Sequence, residues 1–377
     1  MSTCSTYTPL YQIDRAEHLF GGSGMGWGVN VFSYLPRNTL KAMSLTSKLV
    51  HTAVQRHSKP NTMVDYMITE QFHDPPCWGG SYNGTMKMTI TRDGYILICA
   101  TDNDMIAILD ASSMQLVRPY AKGLVCKPID VVITLSGNIV VSNHGNLEIL
   151  VFKSLEDPTI VARIKYGIAM YLTVCGNTLA VTDTTYGRIF LYETTEYTLV
   201  HTIQMRQMYY DSEPTHFAMN FPISITSIPA EFSPTGEPLL AVTDMYYVYI
   251  QIIAMDGTLA FVLKPTHSLW NPSFRTITHH NGEIFLTGYN ATDFHVMSFN
   301  LLKQHVDEDA TLDYDLELPP GCIILTEEHT ILSGKRGTGP GELDLPAGIA
   351  VTSDMMWVAD KGQLFKRKHT ISSFRIM

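Results

Sequence analysis

One short phrase recurs along this chain, and its spacing limits the possible folds more than any single motif does. It consists of a glycine or turn, apolar residues at alternate positions, then a small residue and an aspartate. It runs as "GYILICATD" to Asp102, "GNIVVSN" to Asn143, "GNTLAVTD" to Asp183, "GEPLLAVTD" to Asp244, "GEIFLTG" to Gly288 and "GIAVTSDMMWVAD" to Asp360. The steps between these ends are 41, 40, 61, 44 and 72 residues, so a unit of about 40 residues is interrupted by two insertions. Alternation of period two is the signature of a strand, and a repeat of that length is in the range of propeller blades.

Each copy is preceded and followed by another alternating run. Between Lys127 and Phe152, Val131 and Ile133, then Ile139 and Val141, then Leu147, Ile149 and Val151 alternate with other residues, and Ser136-Gly137 and His144-Gly145-Asn146 supply the turns. A sheet of three or four short strands cannot bury both its faces alone, whereas six arranged radially each pack against a neighbour. The expectation is an all-β fold, a six-bladed β-propeller over residues 64–377, preceded by a short α-helical segment. Residues 64–72 have strand character without companions of their own, and are expected to close the last sheet beside residues 370–376.

The last copy, "GTGPGELDLPAGIAVTSDMMWVADKGQ", resembles the NHL repeat: a glycine-rich lead, a proline before the inner strand, and a strand ending in valine, alanine and aspartate. Pro346, Gly348, Val358, Ala359 and Asp360 match that pattern, and the stretches around residues 77–103 and 127–143 are weaker copies. The resemblance implies an NHL-like six-bladed propeller. The glycine run from Gly334 to Gly341 is not a phosphate loop, because its lysine comes early and a strand follows where a helix is needed. Lys335 and Arg336 are expected as a solvated pair on an inter-blade connection. Each repeated aspartate is expected to accept backbone N–H groups in the turn that follows its strand.

Residues 1–27 read as a flexible lead ending in "GGSGMGW", and residues 28–60 change rhythm to the three-four spacing of short amphipathic helices. Within the latter, Phe32, Ser33, Tyr34, Leu35, Pro36, Leu40, Ser44, Leu45 and Lys48 resemble the later two-thirds of an F-box. That resemblance implies docking onto a Skp-type adaptor of a ubiquitin ligase through Phe32, Leu35, Pro36, Leu40 and Leu45. As a plain amphipathic segment, the same stretch would be a helical cap on the propeller.

The functional reading follows from what is left. With 377 residues, 45% of them hydrophobic, the chain can build a large core; a formal net charge of −10 and only 16% charged residues give no field for a polyanion. Nucleic acid is therefore not an expected partner. No run approaches the roughly 18 apolar residues of a membrane span, and the N-terminus lacks the features of a secretory or transit peptide, so an intracellular, cytoplasmic location is expected. Six scattered cysteines form no C-x-x-C pair. Propellers related to NHL domains include metal-dependent lyases and lactonases, but His144, His216, His279 and His280 fall at unrelated phases of the repeat. No cofactor, metal or catalytic residue is expected, and the chain reads as a non-catalytic scaffold. Its partner-binding surface is expected at the first insertion, where Tyr209, Tyr210 and Phe217 cluster with methionines. The second insertion, Leu301 to Gly321, is acidic and reads as a solvated loop. A substrate receptor of a ubiquitin ligase is the first expectation, a structural subunit of a large assembly the second, and a metal-dependent propeller hydrolase or lyase the third.

Overall fold

The computed structural model describes residues 62–66, 87–165, 169–204, 221–244, 249–264, 273–289, 293–301, 323–325, 329–336, 343–360 and 369–375. All belong to one compact unit spanning Pro60–Ile376. The expected N-terminal segments, 1–27 and 28–60, lie outside the described residues. Apart from three single-turn 3-10 helices, the regular structure described is entirely β.

The described chain opens with β1 (Thr62–Tyr66). A first sheet follows from β2 (Met88–Ile90), β3 (Tyr95–Ala100), β4 (Met105–Asp110) and β5 (Leu116–Tyr120). The second contains β6 (Pro128–Ile133), β7 (Ile139–Asn143), β8 (Glu148–Phe152) and β9 (Ile160–Lys165), and the third β10 (Ala169–Cys175), β11 (Thr178–Asp183), β12 (Arg188–Glu193) and β13 (Leu199–Gln204). The fourth contains β14 (Pro222–Ile228), β15 (Leu239–Asp244), β16 (Ile250–Ala254) and β17 (Leu259–Leu263); the fifth begins with β18 (Ser273–His280), β19 (Glu283–Tyr289) and β20 (Asp293–Asn300). Then β21 (Ile323–Leu325) returns to pair in parallel with β17, and β22 (His329–Lys335) completes the fifth sheet. The last sheet joins β23 (Pro346–Val351), β24 (Met355–Asp360) and β25 (His369–Arg375) to β1.

The pattern of burial explains why the recurrent phrase is so apolar. It forms the second strand of each sheet, and β7, β15 and the last five residues of β3, β11 and β24 are buried on both faces. The outer strand β9 alternates between half-buried and exposed positions instead, as a strand with one wet face should. Apolar clusters fill each gap between consecutive sheets. Leu97 and Ile106 meet Val141 and Phe152 between the first and second, and Ile96 and Leu109 meet Trp357 and Ile371 between the first and last. Tight turns hold the hairpins. Asn281 and Gly282, between β18 and β19, both have positive φ, 49° and 78°, the requirement of a two-residue type I′ turn. The architecture is an all-β propeller.

Three expectations need adjustment. The strand expected at residues 64–72 is β1, at Thr62–Tyr66, paired antiparallel with β25 from Thr62↔Ser373 to Tyr66↔His369; residues 67–72 lie outside the described residues. Lys335 is the last residue of β22, and Arg336 is not a solvated cation, since its guanidinium pairs with the Asp344 carboxylate at 2.9 Å. The repeated polar positions serve more than the turn after their strand. Asp183 serves that turn, accepting from the Thr185 and Tyr186 N–H groups at 3.1 Å. Asn143, Asp244 and Asp360 reach back to the segment that enters their sheet's first strand, accepting from Cys126, Phe221, and both Asp344 and Leu345. The reason is topological: the end of the second strand lies beside the start of the first, where the entering chain has N–H groups with no ladder partner.

Asp360 is buried and receives two backbone N–H groups, at 2.9 Å and 2.6 Å. Asp360→Ala leaves both donors without their acceptor, and a buried donor so orphaned costs about 1–3 kcal/mol. Denaturant unfolding of this variant should show a loss of about 2–4 kcal/mol.

Candidate functional site

The first strands of the six sheets, β2, β6, β10, β14, β18 and β23, lie innermost, each against the next and β23 against β2. An innermost strand has a free edge, whose backbone groups need partners that no ladder supplies. Side chains of the neighbouring strand provide them. The Asp130 carboxylate accepts from Leu172 N at 2.9 Å, Thr173 Oγ1 from Ser227 N at 3.0 Å, Ser224 Oγ from Ile277 N at 3.1 Å, and Thr226 Oγ1 from His279 N at 3.1 Å. In each case the acceptor belongs to one sheet and the donor to the next. This is why polar residues stand at positions of the inner strands that face a crowded interior.

These side chains surround a cavity of about 200 Å³ lined by residues of all six inner strands or their immediate flanks. Register assigns them to two levels. Ser224 pairs with Thr243, Thr276 with Thr287 and Gly348 with Ala359; Lys87, whose carbonyl accepts from Cys99 N at 3.0 Å, holds the corresponding place in the first sheet. In the second and third sheets that place falls to Asp130 and Tyr171, one residue before the pairs Val131↔Val141 and Leu172↔Val181. Five of the inner strands carry a register shift at or just before this level, and bulges are a usual way to re-aim a side chain. Two residues further along come Thr89, Val132, Thr173, Thr226, Thr278 and Ala350.

Lys87 dominates the first level. It is only 5% exposed, and its ammonium donates to Ser224 Oγ and, at 2.7 Å, to Thr276 Oγ1, with Nζ 5.3 Å from the centroid of the Tyr171 ring. Asp130, equally buried, holds its carboxylate through the Val131 and Leu172 N–H groups. No hydrogen bond joins the two charges directly among the described contacts, but each feels the other. Burial lowers the Lys87 ammonium to about 8 against the pull of Asp130. Burial likewise raises Asp130 to about 6, opposed by Lys87 and by the two backbone donors. Burial also pushes the thiol of Cys99 well above its ordinary range. A lysine, a carboxylate, an aromatic face and hydroxyls from four sheets thus form one polar cluster in an otherwise apolar interior.

The residues expected to bind partners, Phe32, Leu35, Pro36, Leu40, Leu45, Tyr209, Tyr210 and Phe217, lie outside the described residues, as does His216. His144 sits in the 3-10 turn after β7, whereas His279 and His280 end β18, at the opposite end of the sheets; burial lowers the pKa of all three, His279 to about 4. Among the described residues no group of three or more His, Cys, Asp or Glu side chains comes together to hold a metal. No described helix is long and apolar enough to cross a membrane. Lys87 and Asp130 were missed because their signal is not a motif but a shared phase: each falls at one fixed place relative to the end of its sheet's second strand.

No protein-family model matches the chain, and no curated protein matches it. Solved structures do. Streptogramin B lyase is 15% identical over 78% of this chain and 94% of its own, with a TM-score of 0.46. Virginiamycin B lyase from Staphylococcus aureus is 12% identical over 78% and 80%, with a TM-score of 0.45. A chain of the mitotic checkpoint complex is 11% identical over 85% and 92%, with a TM-score of 0.49. Likeness at this level concerns the fold. The expectation that the chain is not an enzyme is corrected by these neighbours: two of them are lyases, so the fold gives no ground for excluding catalysis.

Proposed function

We propose that this chain is an NHL-like, six-bladed propeller that works as a protein-interaction scaffold, with residues 28–60 as an F-box-like docking module for a Skp-type adaptor. The observation that carries the scaffold reading is on the outer strands. Leu116 and Val117 of β5, Val161 of β9, and Leu199 and Val200 of β13 are 47–66% exposed, so three successive sheets present apolar side chains at their margins. Outer edges with unpaired backbone groups accept added strands, and the fourth sheet gives the precedent within this chain, where β21 pairs along β17. Six sheets with apolar clusters between neighbours support the blade count, and the F-box-like residues support the adaptor. Under this reading the propeller captures a client and the N-terminal segment delivers it to a ubiquitin ligase.

Affinity purification of the full chain should recover a Skp-type adaptor and a cullin, and Leu35→Asp should abolish that recovery while client proteins stay bound. Absence of the adaptor from the unmodified protein's partners would sink the docking reading, and retention of only a fixed set of subunits would favour a permanent place in a large assembly.

A further inference from the structure

We propose that the axial cavity is a binding site for a small oxyanion, a carboxylate or a phosphate. A hydroxyl carries one donor and two acceptor sites. In Thr173 and Thr226 the oxygen accepts a backbone N–H from the next inner strand, and neither O–H group donates in any described contact. Thr89 and Thr278, at the same level, make no described hydrogen bond and line the cavity with them. Four hydroxyls from four sheets therefore converge at one level with their protons available, two of them with their oxygens already engaged as acceptors.

Lys87 adds charge to this excess of donors. Its ammonium has three N–H groups, of which two go to Ser224 and Thr276, and it lines the same cavity. The opposing carboxylate is held by backbone donors, since one Asp130 oxygen accepts from Val131 N at 2.8 Å and the other from Leu172 N at 2.9 Å. A neutral polar ligand accepts from these donors but brings no charge to meet the Lys87 ammonium. An oxyanion, with several lone pairs on each oxygen, matches them, and hydrogen bonds from hydroxyl or ammonium to an anionic oxygen are about twice as strong as neutral ones. At about 200 Å³ the cavity suits an anion of a few heavy atoms, below the roughly 300 Å³ at which sites for drug-sized ligands begin.

The test is calorimetric titration of the full chain with sodium acetate and, separately, sodium phosphate, at matched ionic strength with chloride as the reference. At least one of the two anions should bind with 1:1 stoichiometry and raise the unfolding temperature, and which one does so separates the two sources of the oxyanion. The paired variant Thr89→Val and Thr278→Val removes two hydroxyls that make no described internal hydrogen bond while keeping side-chain shape. It should leave the unfolding temperature of the anion-free protein within a degree or two and weaken anion binding about tenfold for each hydroxyl lost. No saturable heat with either anion at millimolar concentration, or affinity unchanged in the paired variant, would overturn the proposal.

Discussion

Lys87→Met should destabilise the propeller by about 3–5 kcal/mol at pH 7, and adding Asp130→Asn should restore much of that loss. The single variant removes the cation that opposes the upward shift of Asp130, 5% exposed, so the carboxyl must either stay charged without its partner or take up a proton, and orphaning one member of a buried charge pair has up to that order of cost. It also takes the donor from Ser224 Oγ and Thr276 Oγ1. With Asp130→Asn in place no charge is left to desolvate, although one of the two backbone N–H groups on the carboxylate loses its acceptor, because the amide nitrogen can only donate. Chemical denaturation of the wild type, both single variants and the double variant gives the coupling directly. A double variant as unstable as the sum of the two single ones would mean that the charges do not interact.

The sign of the pH dependence follows from the same shifts. Lys87 falls from 10.5 to about 8 on folding, so between those values the unfolded chain binds more protons and stability rises with pH. Asp130 rises from 3.8 to about 6, so between those values the folded chain binds more protons and stability falls as pH rises. The pair therefore weighs most heavily against folding between about pH 6 and pH 8. Relative to the double variant, the wild type should gain stability on both sides of that window. The deficit of Lys87→Met should shrink as pH drops below Asp130's folded value and the carboxyl becomes neutral. A wild-type profile parallel to that of the double variant from pH 4 to pH 10 would refute this account.

The second strands were legible in the sequence because they are the most buried: in a strand such as Leu239–Asp244 every residue is buried, so composition and length mark it on their own. Outer strands were harder. Leu116–Tyr120 contains Arg118 and Pro119 and is exposed at three of its five positions, and Ile323–Leu325 joins a sheet from the far side of an insertion. No local pattern encodes such a partner. The cavity was illegible for a related reason. Thr173 or Thr226 alone is an ordinary strand residue, and only the closure of the sheets around one axis brings residues as far apart as Lys87 and Thr276 within 2.7 Å. Local sequence held the phase only in part: Lys87, Asp130 and Thr276 each stand 13 residues before the end of their sheet's second strand, whereas Ser224 stands 20 before Asp244 because the β14–β15 connection is longer. The repeated aspartates show the limit from the other side, since the sequence marks Asp360 but not the Asp344 and Leu345 N–H groups it receives.

Deleting residues 62–66 should abolish the cooperative unfolding transition of the propeller, as should ending the chain before His369. The last sheet draws on both ends of the described chain: β25 lies between β24 and β1, pairing with β24 from Met355↔Arg375 to Asp360↔Thr370 and with β1 along five positions. Removing β1 exposes the hydrogen-bonding edge of β25, and removing β25 leaves β1 without a sheet and strips a strand whose Ile371 is buried against Trp357 and Ala359 in the cluster joining the last sheet to the first. A ring differs from an open stack in that opening one junction exposes two apolar faces at once, those of the first and last sheets, and burial is worth about 25 cal/mol per Å² of apolar surface. The expected loss is thus comparable to the whole 5–15 kcal/mol stability of a typical domain. Circular dichroism on heating should show a sharp transition for the chain from residue 60 onward and none for either truncation. A five-residue Gly-Ser replacement of 62–66, which keeps the chain length, should behave as the deletion does. If that replacement melted as the intact chain does, β1 would be a passenger on the edge of β25 and closure would rest on the three strands β23, β24 and β25 alone.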